Sequence, residues 1–255
     1  MAKQAGTSGT GATEALPPAP WQRTPQRAVR RRRDPITQQA IVETALRILD
    51  SEGLEGLSMR RVAEELDTGA ASLYWHVGSK DGLLDLLFDH VIGEQQIPDP
   101  DPPRWQEQLK EVARLQRATI LRHRDIVAVS LGRIPMGPNA LRYSERVLAI
   151  LRAGGVPDNL AASGHQLLIA VVNGFTLDEA SDEQPGSDAG APSQDAARDY
   201  IASLPLAQFP NLIAVADEFS AVDQDERFEL LLDLFVGGLA RRVATDEKRA
   251  RGRSK

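Results

Sequence analysis

From Pro35 onward the apolar residues recur at steps of three and four, with no sustained alternation of period two. This spacing predicts ten helices and no sheet, over residues 37–52, 58–66, 70–76, 80–96, 104–122, 125–131, 138–153, 158–179, 195–203 and 225–244. The expected fold class is all-α. Gly53 and Gly56 close the first helix, while Ser58 and Ser79 offer N-caps for the second and fourth. The run from Ile97 to Pro103, with four prolines, stops the fourth helix and marks a seam. A 255-residue chain has room for two domains, so the seam divides 34–96 from a larger unit, 97–245. A Pro-, Gly-, Asp- and Ser-rich stretch, 181–194, reads as a flexible loop.

The stretch Leu57 to Lys80, LSMRRVAEELDTGAASLYWHVGSK, carries the most information. Met59, Val62, Ala63 and Leu66 put an apolar face on one short helix, residues 67–69 make a tight turn, and Leu73 and Val77 face the second helix inward. Helices this short need a floor. Ile41, Ala45, Ile48 and Leu49 of the preceding helix supply it, and three helices joined this way form a helix-turn-helix whose second member fits the major groove of DNA. The outward face, Ala70, Ala71, Ser72, Tyr74, Trp75 and His76, is small or hydrogen-bonding at its start and aromatic further on, flanked by Arg60 and Lys80. The competing reading is a plain helical hairpin with Tyr74 and Trp75 as packing residues.

Two long helices ask for more cover than one chain provides. Leu167, Leu168, Val171, Val172 and Phe175 form a stripe on the eighth, interrupted only by Gly164 and Gly174. The tenth carries Phe228, Leu231, Leu232, Phe235 and Leu239 on one side and Leu230 and Leu234 on another. A helix apolar on two faces must be covered on both, and a second subunit is the natural second cover.

Charge sorts along the chain. The net charge of -6 rules out an indiscriminate coat for nucleic acid. Residues 1–33 hold seven bases, including Arg30, Arg31, Arg32 and Arg33, against one acid, a net of +6 beside the helix-turn-helix. They read as an arm that is disordered until it meets DNA, with a plain solubilising run or a transit peptide as alternatives. Residues 176–229 carry -11, a solvated face that would keep DNA at a distance, and residues 246–255 read as a basic, disordered tail.

Some chemistry is excluded. With no cysteine and four histidines, the chain has no thiolate site and little material for a metal cluster. It shows no P-loop, no GxSxG and no HExxH, so neither enzyme activity nor a cofactor is expected. No unbroken apolar run approaches the roughly 18 residues of a membrane span, and a soluble, cytoplasmic protein is expected.

Residues 36–96 resemble the DNA-binding domain of the TetR family of bacterial repressors, through EGLEGLSMRRVAEEL and ASLYWHVGSKDGLL. The LYWHV segment followed by Lys80 is similar to the tetracycline-repressor branch, and weaker likeness runs through WQEQL, LRHRDIVAVSLGRIP and NGFTLDE. The resemblance implies a homodimer on a palindromic operator of double-stranded DNA, with a four-helix interface from the eighth and tenth helices and an effector cavity in each subunit. It implies base contacts from Arg60, Ala70 and Ser72, backbone contacts from Tyr74, His76 and Lys80, with Thr68 and Gly69 in the turn and Trp75 beside them. Where that branch would carry a metal-coordinating histidine this chain has Ser130, and Gln96 and Val112 stand where drug-contacting His and Asn are expected. A magnesium–tetracycline chelate is therefore not the implied effector. The expected cavity residues are Phe88, Ile92, Gln96, Val112, Gln116, Leu131, Arg133 and Arg146, and the expected interface residues are Leu167, Val171, Phe175, Leu230 and Leu234. The rival readings are an effector-independent regulator or activator, and a small-molecule binder with a vestigial helix-turn-helix.

Overall fold

The computed structural model describes residues 36–182, 194–218 and 223–253, helical or in turns and irregular connections, with no strand among them. Eleven α-helices lie among the described residues. The basic arm with Arg30 to Arg33 falls outside them, as does most of the expected loop at 181–194.

The first four helices are α1 (Gln38–Gly56), α2 (Met59–Glu65), α3 (Ala70–Val77) and α4 (Lys80–Ile92). Thr37 caps α1 through the N–H of Ala40, Ser58 caps α2 through that of Arg61, and Ser79 caps α4 through that of Gly82. The last turn of α1 is broken at Gly53, whose φ of 75° suits glycine. Ile41, Ala45, Ile48, Leu49, Leu57, Val62, Leu73, Leu83 and Leu87 make one dry core.

A single 3-10 turn, Pro102–Arg104, leads into α5 (Trp105–Leu121), followed by α6 (Ile126–Ser130), α7 (Pro138–Ala153) and α8 (Asp158–Asp182). Then come α9 (Gln194–Ala202), a short α10 (Pro210–Ala214) that periodicity did not predict, and the final helix, which we number α11 (Gln224–Arg253). The second core gathers Trp105, Leu109, Val112, Tyr143, Val147, Ile150, Leu168, Val172, Phe228, Leu232 and Val236 from α5, α7, α8 and α11. Arg114 grips Glu229 through both of its carboxylate oxygens, at 2.7 and 2.8 Å, and ties α5 to α11.

Two expectations change. The fourth helix ends at Ile92 rather than at residue 96. The last helix runs on to Arg253, through residues expected to be a tail, because 240–251 is built of Ala, Arg, Lys, Glu and other helix-compatible residues with no Gly or Pro before Gly252. Residues 158–180 also form a helix long and apolar enough to cross a membrane, with a mean hydropathy of 1.3. Its Leu168 and Val172 are buried in the second core.

The two cores are not separated by the proline-rich seam. Ile120, Ile126, Val127 and Val129, from beyond it, sit in the first core, and Ile92 of α4 packs against both. Helix α4 therefore has one end beside α3 and the other inside the second unit.

Candidate nucleic-acid interface and effector cavity

The turn between α2 and α3 is set by backbone geometry. Asp67 adopts a left-handed φ of 46°, which lets the N–H of Thr68 return to the carbonyl of Ala63 at 2.9 Å. Leu73 and Val77 anchor α3 from beneath, while Tyr74 and Trp75 stay about half exposed, at 48% and 53%. Large aromatic rings left in water on a helix that already has a buried face point to a partner surface. Lys80 and Gly69 are exposed, Ser72, Thr68 and His76 half-buried, and Ala70 is half-buried against the first core. The backbone carbonyl of His76 accepts from Gln38 Nε2 at 3.0 Å, which fixes α3 against the start of α1. Arg60 extends into solvent with its Nε 2.8 Å from Glu64 Oε1, an exposed pair that phosphate can displace cheaply.

The junction of α3 and α4 is tight. A Cβ on Gly82 would stand 2.2 Å from the carbonyl oxygen of Val77, so the first turn of α4 rests directly on the end of α3.

Between α4, α5, α7 and α8 lies a cavity of about 90 Å³. Phe88, Val91, Ile92, Ile120 and Ile169 give it apolar walls, and Gln95, Gln116, Asn173, Ser130, Ser144 and Arg133 supply polar groups. Tyr143 donates its hydroxyl hydrogen to Gln116 Oε1 at 2.7 Å, and Gln116 Nε2 donates to Asn173 Oδ1 at 2.7 Å. Burial pushes the Tyr143 phenol up, keeping it protonated and a donor. Gln95 Oε1 is buried with no hydrogen-bond partner among the described residues.

Of the cavity residues expected from the sequence, the structure brings Phe88, Ile92, Gln116 and Arg133 together. Four others lie elsewhere. Val112 is fully buried in the second core. Leu131 points into solvent at 59% exposure, and Arg146 faces outward in an ion pair with Asp99. Gln96 is exposed, and its neighbour Gln95 lines the wall instead, because the chain leaves α4 at Ile92. Gln95, Tyr143 and Asn173 lie outside the set expected from the sequence, although Tyr143 and Asn173 are polar interruptions of otherwise apolar stripes, a signal that points to them.

On the outer side, Leu167, Leu230 and Leu234 are exposed at 55%, 57% and 68%. A Cβ at Gly174, Gly237 or Gly238 would meet nothing, so these glycines of α8 and α11 face open space. Val171 is half-buried, and Phe175 turns inward, its ring 5.1 Å from that of Phe228.

This arrangement, a helix with exposed aromatic rings joined through α4 to a cavity, has counterparts among known proteins. Residues 98–243 match the family profile described as tetracyclin repressor-like, C-terminal domain, and residues 41–87 match that of bacterial regulatory proteins, tetR family. The chain belongs to the TetR family. The solved structure of apo ActR from Streptomyces coelicolor superposes with a TM-score of 0.77 at 44% identity, covering 84% of this chain and all of that one. ActR in complex with actinorhodin is 47% identical, with a TM-score of 0.76 and coverage of 82% and 99%. A transcriptional regulator of the helix-turn-helix type from Saccharopolyspora erythraea is 37% identical over 178 residues, 69% of this chain and 72% of that protein. The TetR chain described here is accordingly a transcriptional regulator.

Proposed function

We propose that this TetR family protein is a cytoplasmic, homodimeric repressor that leaves a palindromic operator when a small molecule enters the cavity. The observation that carries the reading is the course of α4. Its first turn rests on α3 at Gly82, and Phe88, Val91 and Ile92, two turns on, form cavity wall. An occupant that displaces those side chains moves the helix on which the reading head leans.

In the dimer, two copies of α3 would stand roughly 34–36 Å apart, one DNA turn. Arg60, Ala70 and Ser72 are assigned to base edges, Tyr74, Trp75, His76 and Lys80 to the backbone, with Thr68 and Gly69 shaping the turn and Arg30 to Arg33 tracking phosphates. Leu167, Val171, Leu230 and Leu234 would form the subunit interface. The effector is an apolar molecule with a few polar groups: Gln95 Oε1 awaits a donor, and Phe88, Ile92 and Ile169 favour a flat hydrocarbon surface. It needs only about 1–3 kcal/mol of preference for the non-DNA conformation to act. Actinorhodin, which ActR is shown holding, is the first candidate to test.

The test is a mobility shift with DNA upstream of the protein's own gene, run across a salt series and against actinorhodin. Binding should fall steeply with salt. Lys80→Ala should weaken binding to all DNA, and Arg60→Ala should also relax sequence preference. If both variants bind as the wild type does, the reading head is misassigned; binding that no small molecule reverses would favour an effector-independent regulator.

A further inference from the structure

Arg133 is the one cation in the cavity wall among the described residues, and it also holds the start of α4. It follows Gly132 in the segment between α6 and α7. Its Nε donates to the carbonyl of Val129 at 2.8 Å, Nη1 to Asp85 Oδ1 at 2.6 Å and to the carbonyl of Asp81 at 3.2 Å, and Nη2 to Asp81 Oδ1 at 2.9 Å. Four of the five N–H donors of the guanidinium are thus engaged. The Arg133 side chain is 19% exposed, whereas those of Asp81 and Asp85 are 83% and 58% exposed. Arg133 lines the wall with its side chain mostly out of water, while its counter-charges are in water.

A guanidinium binds a carboxylate best through two parallel N–H groups, and Arg133 has no such pair free. An acid entering the cavity must therefore take the place of Asp85 or Asp81. That exchange costs little, because one carboxylate replaces another and the displaced aspartate returns to solvent. A neutral molecule of the same shape has no charge to offer and cannot win Arg133 from two carboxylates. Both aspartates stand in the first turns of α4, next to Gly82, where that helix rests on Val77 of α3.

We infer that Arg133 makes the protein selective for acidic effectors, an effector carboxylate being read by its competition with Asp81 and Asp85 for one guanidinium. This inference rests on the reading of the cavity as an effector site. It also assigns the release signal to the broken contacts: with the aspartates let go, the start of α4 loses its tie to the segment that follows α6.

The probes are 2-naphthoate and 2-naphthamide, nearly isosteric and differing in charge, titrated calorimetrically into the full-length protein. The wild type should bind the acid at least about tenfold more tightly than the amide, the size expected of a charge-assisted hydrogen bond. Arg133→Gln should abolish the preference, and Arg133→Lys should keep part of it. The Asp81→Asn/Asp85→Asn variant leaves the wall intact and removes the competitors, so its affinity for the acid should rise several-fold while that for the amide stays put. In the wild type alone, 2-naphthoate should also speed amide exchange over residues 80–88. Equal affinity for both probes leaves the cavity reading standing and overturns the role of Arg133, as does a preference that survives Arg133→Gln. An aspartate variant with unchanged affinity for the acid refutes the competition. If neither probe binds the wild type, the cavity reading falls and this inference with it.

Discussion

Asp89 of α4 and Asn139 of α7 hold each other reciprocally: the backbone N–H of Asn139 donates to Asp89 Oδ1 at 3.1 Å, and Asn139 Nδ2 donates to the backbone carbonyl of Asp89, also at 3.1 Å. The N–H of Ala140 joins at 2.9 Å. The N-cap position of α7 is Gly137, which has no side chain to cap the helix, and a Cβ there would stand 2.2 Å from the Asp89 carboxyl. The cap that local sequence usually provides comes here from another helix.

Asp89→Ala should therefore destabilise the fold by about 2–3 kcal/mol, more than an ordinary cap, because one buried and one half-buried amide lose their acceptor. Thermal unfolding should fall by roughly 4–12 °C. Asp89→Asn, which keeps an acceptor but not the charge, should lose less; losses equal to those of Asp89→Ala would show that the charge, rather than the shape of the acceptor, carries the cap.

Arg117 and Glu179 form the most buried ion pair among the described residues, with side chains 13% and 9% exposed and contacts of 2.8 and 2.5 Å. Arg117 also reaches Asp225 and lies 4.8 Å above the ring of Phe228, so α5, α8 and α11 meet on one guanidinium. Arg117→Met strands the Glu179 carboxylate and should cost about 3–5 kcal/mol in urea unfolding. Arg117→Met/Glu179→Met should recover most of that loss. A double variant as unstable as the single one would mean that the packing on Phe228 dominates.

His165 of α8 has a buried Nε2 with no partner among the described residues, and burial pushes its pKa below the ordinary 6.5. The unfolded chain then takes up a proton that the folded one refuses, so stability is full above about pH 6.5 and declines as pH falls from there towards the lowered native value. Urea midpoints at pH 7.5 and 5.5 should differ more for the wild type than for His165→Leu. The same difference in both proteins would place the acid sensitivity elsewhere.

Leu230→Glu/Leu234→Glu alters two side chains that touch water in the monomer and should leave its fold intact. If α8 and α11 make the subunit interface, light scattering should report about half the mass of the wild type at micromolar concentration, with operator binding lost at the same concentrations. A variant that stays dimeric moves the interface to another face.

The all-helical fold, the caps at Ser58 and Ser79, the turn at 67–69 and the inward residues Leu73 and Val77 were legible in the sequence, because each depends on residues within one or two turns of one another. The exposed leucines of the last helix were legible too, since a 3.6-residue period assigns every position to a face. Phe88, Ile92 and Gln116 meet at the cavity for the same reason, being placed on helix faces, whereas Arg133 reaches it from the non-helical segment between α6 and α7.

Which neighbour each face meets was decided by the tertiary structure alone. Past the end of α4 at Ile92 the helical period no longer assigns faces, and there Gln95 stands in the wall and Gln96 in water. Val112 is apolar and inward, yet its inward direction leads to the second core. Arg146 and Arg133 are alike in the sequence, and only the approach of Asp99 to one and of Asp81 and Asp85 to the other separates a surface ion pair from a group shared between the cavity and the start of α4. Periodicity governs the direction in which a side chain leaves its helix; what stands there is settled by contacts between residues dozens of positions apart.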